Sequence, residues 1–184
     1  MSKYIALLRA INVGGHTVKM DRLRQLFEEL GFANVETFIA SGNVIFETRA
    51  AKGPALEKKI ERHLHAALGY EVITFVRTAA ELAAIAACQP FAPDELAQPN
   101  TGLYIAFLAA PPKAETQSRF MAYRNAIDDF VFAGRQLYWL RHTNLSDPAH
   151  PSPPLEKALG GPATVRNSTT IRKLAAKYAA PQVK

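Results

Sequence analysis

The alternation of apolar and polar positions predicts the same order of strands and helices twice along the chain. Short apolar runs are separated by stretches of helical period and by turns rich in Gly, Asn and Pro. The first part is predicted to contain a strand at 3–8, a helix at 20–30, strands at 35–39 and 44–47, a helix at 54–68, a strand at 72–76 and a helix at 80–87. The second is predicted to contain a strand at 103–108, a helix from 111 to about 123, strands at 130–132 and 136–140, a helix at 155–159, a strand at 164–165 and a helix at 168–178.

This order predicts an α+β fold, a tandem duplication of ferredoxin-like (βαββαβ) halves in which antiparallel sheets carry helices on one face. Matching letters support a duplication, since Tyr-Ile-Ala-Leu-Leu at 4–8 resembles Tyr-Ile-Ala-Phe-Leu at 104–108. The runs 42–46 and 134–138 also take the same place in the order. We therefore predict a first half at 1–88, a Pro-rich connection at 89–100, and a second half with a C-terminal helix at 101–184.

Composition narrows the class of protein. The 184 residues are 48% hydrophobic, which is ample for a core, and the single cysteine allows no intrachain disulfide. Cys88 lies in an alanine-rich stretch and is interpreted as a small buried residue. The apolar segment near the N-terminus is too short for a secretion signal or a membrane span. A cytoplasmic protein without membrane contact is expected.

The chain is basic, and its charge favours anionic partners. The formal net charge is +6 and the sequence pI is about 9.5. A charge of this size also serves simply to keep a small domain soluble. The sequence leaves both interpretations of the net charge open, anionic partners and solubility.

Several motifs, in this order and spacing, resemble a known family. They are Leu-Leu-Arg-Ala-Ile-Asn-Val-Gly-Gly at 7–15, Lys-Met at 19–20, Ile-Ala-Ser-Gly-Asn-Val-Ile-Phe at 39–46, Thr-Val-Arg-Asn at 164–167, Thr-Thr at 169–170 and Lys-Leu at 173–174. Over essentially the whole chain the sequence is similar to the bacterial domain-of-unknown-function family 1697. The resemblance implies the tandem ferredoxin-like fold and no particular activity. The family often has an aromatic residue where this chain has Ser168, so a stacking role there is not expected.

A first candidate site follows from the predicted topology. Strand one should run antiparallel to strand three, which brings the loop after the first strand to the same sheet end as the first hairpin. Glycines there allow close backbone approach to an anion, and a helix start offers unpaired N–H groups. The candidate residues are Arg9, Asn12, Gly14, Gly15, Lys19, Ser41, Gly42 and Asn43.

The helix that begins near Lys19 carries cations where the helix dipole favours negative charge. A bound anion would relieve this mismatch, and so would solvent or Asp21 acting as the N-cap. The spacing of the glycines in this loop, Gly14 and Gly15, matches neither a P-loop nor a dinucleotide fingerprint. In the alternative interpretation, the glycines serve turn geometry and Asn12 and Asn43 hydrogen-bond the loops together.

A second candidate patch is predicted at one end of the second sheet, where the third strand and the last strand both finish. An aromatic ring beside arginines could stack on a base, although a lone Trp in a strand is commonly a core residue. The patch comprises Trp139, Arg141, His142, Arg166, Asn167 and Lys173.

The function that best fits these features is the binding of an anionic, phosphate-bearing small ligand at the loops of the first half. Binding of RNA through a basic, aromatic surface is one alternative, and an enzyme of unidentified class is another. No metal or cofactor is predicted. His63 and His65 are two residues apart on a helix and cannot share a ligand, and Asp128 and Asp129 should point to opposite sides of a strand. The oligomeric state is left open.

Overall fold

The computed structural model describes residues 1–11, 15–39, 42–49 and 53–179. These residues form two compact units: one contains Met1–Ala86 and the chain from Arg172 onward, and the other is Ala87–Ile171. In the described part of the chain, none of the helices has the length and apolar character needed to cross a membrane.

The first half follows the predicted order of elements. Its elements are β1 (Ser2–Leu8), α1 (Met20–Glu29), β2 (Ala33–Phe38), β3 (Asn43–Thr48), α2 (Pro54–Leu68), β4 (Thr74–Thr78) and α3 (Ala79–Ala87). The strands form a four-stranded sheet in the order β2-β3-β1-β4, and each neighbouring pair is antiparallel.

The second half repeats this arrangement. A four-residue helix, α4 (Pro93–Leu96), precedes β5 (Gly102–Leu108), α5 (Ala114–Phe120), a short 3₁₀ helix (Met121–Tyr123), β6 (Asp128–Ala133), β7 (Gln136–Arg141), α6 (Leu155–Leu159), β8 (Ala163–Asn167) and α7 (Ser168–Tyr178). The sheet order is β6-β7-β5-β8, again antiparallel throughout. The predicted fold class is confirmed, with two similar halves.

Strand alternation decides which side chains meet the helices. In β1, Tyr4, Ala6 and Leu8 share one hydrophobic core with buried residues of α1 and α2. In β5, Ala106 and its neighbours on the same face pack against α5 and α6 in a separate core. Ile5 on the opposite face of β1 is fully buried as well. Because strands buried on both faces lack alternation, β1 and β5 read as continuous apolar runs in the sequence.

On that opposite face of the first sheet, the end of α7 contacts β2. The hydroxyl of Tyr178 donates to Glu36 at 2.8 Å, and the Lys177 ammonium donates to the same oxygen at 3.2 Å. The ring of Tyr178 meets that of Phe38 edge-on, with 6.2 Å between centroids. These contacts explain why the last part of α7 belongs to the first unit.

The two halves correspond in register. Tyr4 and Tyr104 lie on equivalent strands, as predicted, and each pairs with the third and fourth strands of its own half. The hairpins differ from the predicted alignment by one residue. The amide at the end of β1 donates to the Gly42 carbonyl, whereas the equivalent amide of β5 donates to Arg135. The turn glycines, Gly42 and Gly134, both have positive φ but are therefore not equivalent.

Carboxylates cover the outer edge of β4. Three backbone N–H groups along this edge strand donate to glutamates of the neighbouring helices: Thr74 to Glu61 at 2.9 Å, Val76 to Glu57 at 2.8 Å and Thr78 to Glu81 at 2.8 Å. On β8 the amide of Ala163 donates to Glu156 at 3.0 Å. Edge N–H groups that would otherwise be unpaired are thus satisfied by side chains.

Some element boundaries differ from the prediction. The fourth strand begins at Thr74 rather than two residues earlier, because pairing with β1 starts where Thr74 lies opposite Leu8. Helix α5 begins at Ala114 rather than at the two prolines before it, and Lys113 is its N-cap. The connection between the halves contains α4, which the sequence did not predict.

Candidate functional site

The end of β1 and the start of β3 meet as the sequence predicted. Leu7 lies opposite Asn43, and the Leu8 amide donates to the Gly42 carbonyl at 2.8 Å. Five of the predicted site residues can be placed: Arg9, Gly15, Lys19, Gly42 and Asn43. The other three, Asn12, Gly14 and Ser41, lie outside the described residues.

Gly42 is required by its surroundings. Its φ is +72°, and a Cβ at this position would lie 3.1 Å from the Leu8 Cβ and 3.2 Å from the Ile11 Cβ. Any larger residue would be strained and would also press on the core. Gly15 has a φ of +86°, and a Cβ there would meet open space.

Asn43 serves the hairpin. It is fully buried, and its Nδ2 donates to the Phe38 carbonyl at 3.1 Å across the two strands. This bond lies within one hairpin, between the start of β3 and the end of β2, so the alternative in which Asn12 and Asn43 tie the two loops together stays a prediction. Asn43 therefore fixes the turn that carries Gly42.

The two cations of the site are held at this end of the sheet by backbone contacts. The Arg9 amide donates to the Ile73 carbonyl at 2.8 Å, and the Arg9 side chain is half-buried. Lys19 is exposed and is the N-cap of α1, where its carbonyl accepts the Leu23 amide at 3.0 Å. No side chain of the described residues caps this helix. Asp21 is therefore not the N-cap; it lies in the first turn, 3.6 Å from Arg24.

His16 and Tyr70 complete this end of the unit, and the sequence did not indicate either. Their rings are stacked, with 3.9 Å between centroids and 20° between planes. The Tyr70 hydroxyl is buried and has no hydrogen-bond partner among the described residues, and burial raises the pKa of Tyr70. His16 could have been suspected from its place beside Gly15, whereas Tyr70 lies far away along the chain and carries no sequence signal.

The central residues of the second patch form a closed network in the core. Trp139 is 2% exposed, and its indole N–H donates to Asp128 at 2.6 Å. Arg141 is fully buried and donates to both oxygens of Asp128, at 2.8 and 2.9 Å. Its guanidinium also lies 5.6 Å from the centre of the Trp139 ring. The core alternative for Trp139 thus describes its position.

The pairing of Asp128 with Arg141 could have been predicted from the sequence. A hairpin whose turn places Ala133 opposite Gln136 also places Asp128 opposite Arg141. Asp128 and Asp129 do separate as expected: Asp128 is buried, while Asp129 binds the exposed Arg124 at 2.7 Å.

The remaining residues of the patch are dispersed. The His142 Nδ1 shares a hydrogen bond of 2.8 Å with the Thr101 hydroxyl. Arg166 lies opposite Ile105 and therefore on the sheet face away from Trp139. Burial lowers the pKa of Arg166 to about 10, and its guanidinium donates to the Thr164 hydroxyl at 2.8 Å.

Asn167 and Lys173 belong to the C-terminal helix region. The Asn167 side chain accepts the Thr169 amide at 2.8 Å, so it caps α7. Lys173 is exposed on α7, in the part of this helix that is grouped with the first unit. Ligand binding by the patch stays a prediction.

Two further points concern metal ligands and Cys88. Across the described ranges, no three His, Cys, Asp or Glu side chains cluster as metal ligands would. Cys88 is exposed just after α3, so the expectation of a buried residue was wrong. Helix α3 ends at Ala87, and the following residue is no longer part of its buried face.

Comparison with other proteins identifies a family and a fold. A family model described as "Protein of unknown function (DUF1697)" matches residues 1–138. No curated protein matches the chain. A solved structure, that of the conserved bacterial protein SP0830 from Streptococcus pneumoniae, is similar with a TM-score of 0.69 and 22% identity, over 96% of this chain and 98% of that one. This likeness concerns the fold. The family match covers most of the chain, and the chain therefore belongs to the DUF1697 family of proteins of unknown function.

Proposed function

We propose that the first unit binds an anionic, phosphate-bearing small ligand at the loops that follow β1. The observation that supports this most is the N-cap of α1, where Lys19 stands at a helix start that no described side chain caps. The helix dipole and the first amides favour an anion at this position, and Lys19 adds a positive charge.

Contacts around this end support the proposal, because they join the loops that carry the candidate residues. The stack on Tyr70 holds the loop with His16 to the turn after α2, and the Arg9–Ile73 bond joins that turn to the end of β1. Gly42 lets the hairpin approach the same loop closely.

The chemistry of these groups favours binding over acid–base catalysis. Burial raises the pKa of Tyr70, which disfavours its ionised form and with it a role as a general base. Arg9 and Lys19 contribute positive charge to this end. Asp21 and Glu71 are exposed, so solvent screens their opposing charge. The partly buried carboxylate of Glu61 accepts the Thr74 amide.

Thermal denaturation of the full chain with and without ligands tests the proposal. Inorganic phosphate, a nucleoside diphosphate, a sugar phosphate and a short single-stranded RNA are compared. A ligand at 100 times its dissociation constant stabilises by about 2.7 kcal/mol, which corresponds to a rise of roughly 5–10 °C in Tm for a chain of this size.

The matched variants are Lys19→Ala and Lys58→Ala, which remove exposed lysines from the N-cap of α1 and from α2. Lys19→Ala should lose the ligand-induced rise while Lys58→Ala keeps it. If no phosphate compound raises Tm, or if both variants respond alike, the proposal is wrong. A response to RNA alone, with a steep dependence on salt, would instead support the nucleic-acid alternative.

A further inference from the structure

The second unit contains an open cavity of about 440 Å³ between the end of β5, the start of α5 and the turn that leads from α6 into β8. This volume falls within the range of sites for small ligands. Its lining includes Pro111, Pro112, Pro162 and Leu159, together with the cations Lys113 and Arg119.

The lining is apolar apart from Thr116 and two cations. Lys113 and Arg119 both face the cavity, and none of the lining residues is acidic. In the part of the chain that the structure describes, neither cation forms an ion pair. A negatively charged group in the cavity would therefore meet two positive charges and no acidic residue of the lining.

The apolar walls are rigid. Pro111, Pro112 and Pro162 have fixed φ angles and cannot rearrange freely, so the cavity is largely formed before a ligand arrives. Gly160 and Gly161 belong to the lining, and a Cβ at either position would meet open space.

The cavity is the counterpart, in the second half, of the loop end after β1. Lys113 is the N-cap residue of α5, as Lys19 is of α1. The backbone carbonyl of each lysine accepts the amide of the residue four positions later at 3.0 Å. Ala109 takes the place of Arg9 after the equivalent strand. At the equivalent strand end the second half therefore has one cation fewer, and prolines and Arg119 lie around it.

We propose that this cavity binds a small organic carboxylate, whose charged head lies between Lys113 and Arg119 and whose apolar body lies against the prolines and Leu159. The arginine fork and the ammonium both suit a carboxylate head, and the walls suit an aliphatic body of a few carbons. This site is distinct from the one in the first unit and does not depend on it.

The experiment is a titration of the full chain with hexanoate, followed by the amide resonances of Gly160, Gly161 and Ala109 in NMR spectra. Hexanol and inorganic phosphate, titrated in the same way, separate the contribution of the head from that of the body. Hexanoate should shift these resonances and bind more tightly than either comparator. Equal binding of hexanol would refute the role of the cations, and equal binding of phosphate would refute the role of the apolar walls.

Variants locate the site. Lys113→Ala and Arg119→Ala should each weaken hexanoate binding about two- to fivefold, as expected for exposed charge pairs. Lys157→Ala, which removes an exposed lysine of α6 outside the lining, should leave the affinity unchanged. The double variant Lys113→Glu/Arg119→Glu should abolish binding, because both cations of the lining become acids and neither side chain is buried.

Retained affinity in Lys113→Glu/Arg119→Glu, with a native-like spectrum, would overturn the proposal. So would equal losses in Lys113→Ala and Lys157→Ala, or no shift with hexanoate at saturation. Lys19→Ala should leave hexanoate binding intact, so failure of the first-unit site and failure of this one are told apart.

Discussion

Replacing Asp128 by asparagine is expected to destabilise the second unit strongly. The carboxylate of Asp128 is the anionic partner of Arg141, whose side chain is 0% exposed. The asparagine carbonyl can still accept the Trp139 indole N–H that now lies 2.6 Å from Asp128. What is lost is the negative charge opposite a buried guanidinium.

The magnitude follows from the partners that Arg141 would keep. Removing one member of a buried ion pair costs about 3–5 kcal/mol, since the other charge stays buried without compensation. The guanidinium retains the carbonyls of Asn144 and His150 as acceptors. We therefore expect the lower end, a loss of about 3 kcal/mol in the free energy of unfolding of the second unit. Asp128→Ala also strips the indole bond and should cost about 1–3 kcal/mol more.

The chain carries its own reporter for this measurement. Trp139 is the single tryptophan and is part of the network, so its fluorescence during urea denaturation follows the second unit specifically. The control is Asp129→Asn, because Asp129 pairs with Arg124, whose side chain is 60% exposed. Exposed pairs contribute about 0–1 kcal/mol. A loss below 1 kcal/mol for Asp128→Asn, or one no larger than that of Asp129→Asn, would refute the reasoning.

Three further changes test other parts of the structure. Gly42→Ala should lower Tm more than Gly31→Ala, because both glycines have positive φ but only Gly42 has close neighbours; equal losses would contradict this. Glu57→Ala should cost about 1–3 kcal/mol in urea denaturation by leaving a buried β4 amide unpaired, and Glu57→Gln should cost less; equal costs would exclude that hydrogen bond as the cause. Hydrogen bonds lower the pKa of Asp147 to about 2, and the bond from the Thr143 hydroxyl contributes most. The ionised carboxylate therefore stabilises the loop above about pH 4, and this contribution is lost as the pH falls through about 2. Thr143→Ala should raise the Asp147 midpoint in an NMR titration, and an unchanged midpoint would contradict the assignment.

Local signals in the sequence were sufficient for the order of elements and for the strands buried on both faces. The apolar run of β5 was predicted to within one residue, and α7 at both ends. The start of β4 was missed because it depends on pairing with β1, which is a contact between distant parts of the chain. Helix α5 was predicted too long because prolines suit a first turn in general, whereas here Lys113 follows them as the cap.

For the candidate sites, too, strand patterns predicted some features, whereas contacts between residues far apart in the chain were missed. Antiparallel pairing predicted correctly that the loop after β1 and the first hairpin share a sheet end. The stack of His16 on Tyr70 depends on where α2 ends relative to that loop, which no local pattern contains. The Asp128–Arg141 pair was accessible, because the hairpin register places the two residues opposite each other.

The glutamates along β4 have a consequence for association. An exposed strand edge is a template on which another chain can add a strand, and uncontrolled addition leads to aggregation. At β4 an incoming strand would have to displace three carboxylates and leave each of them to find new solvation. This edge is therefore closed both to self-association and to peptide partners that bind by extending a sheet.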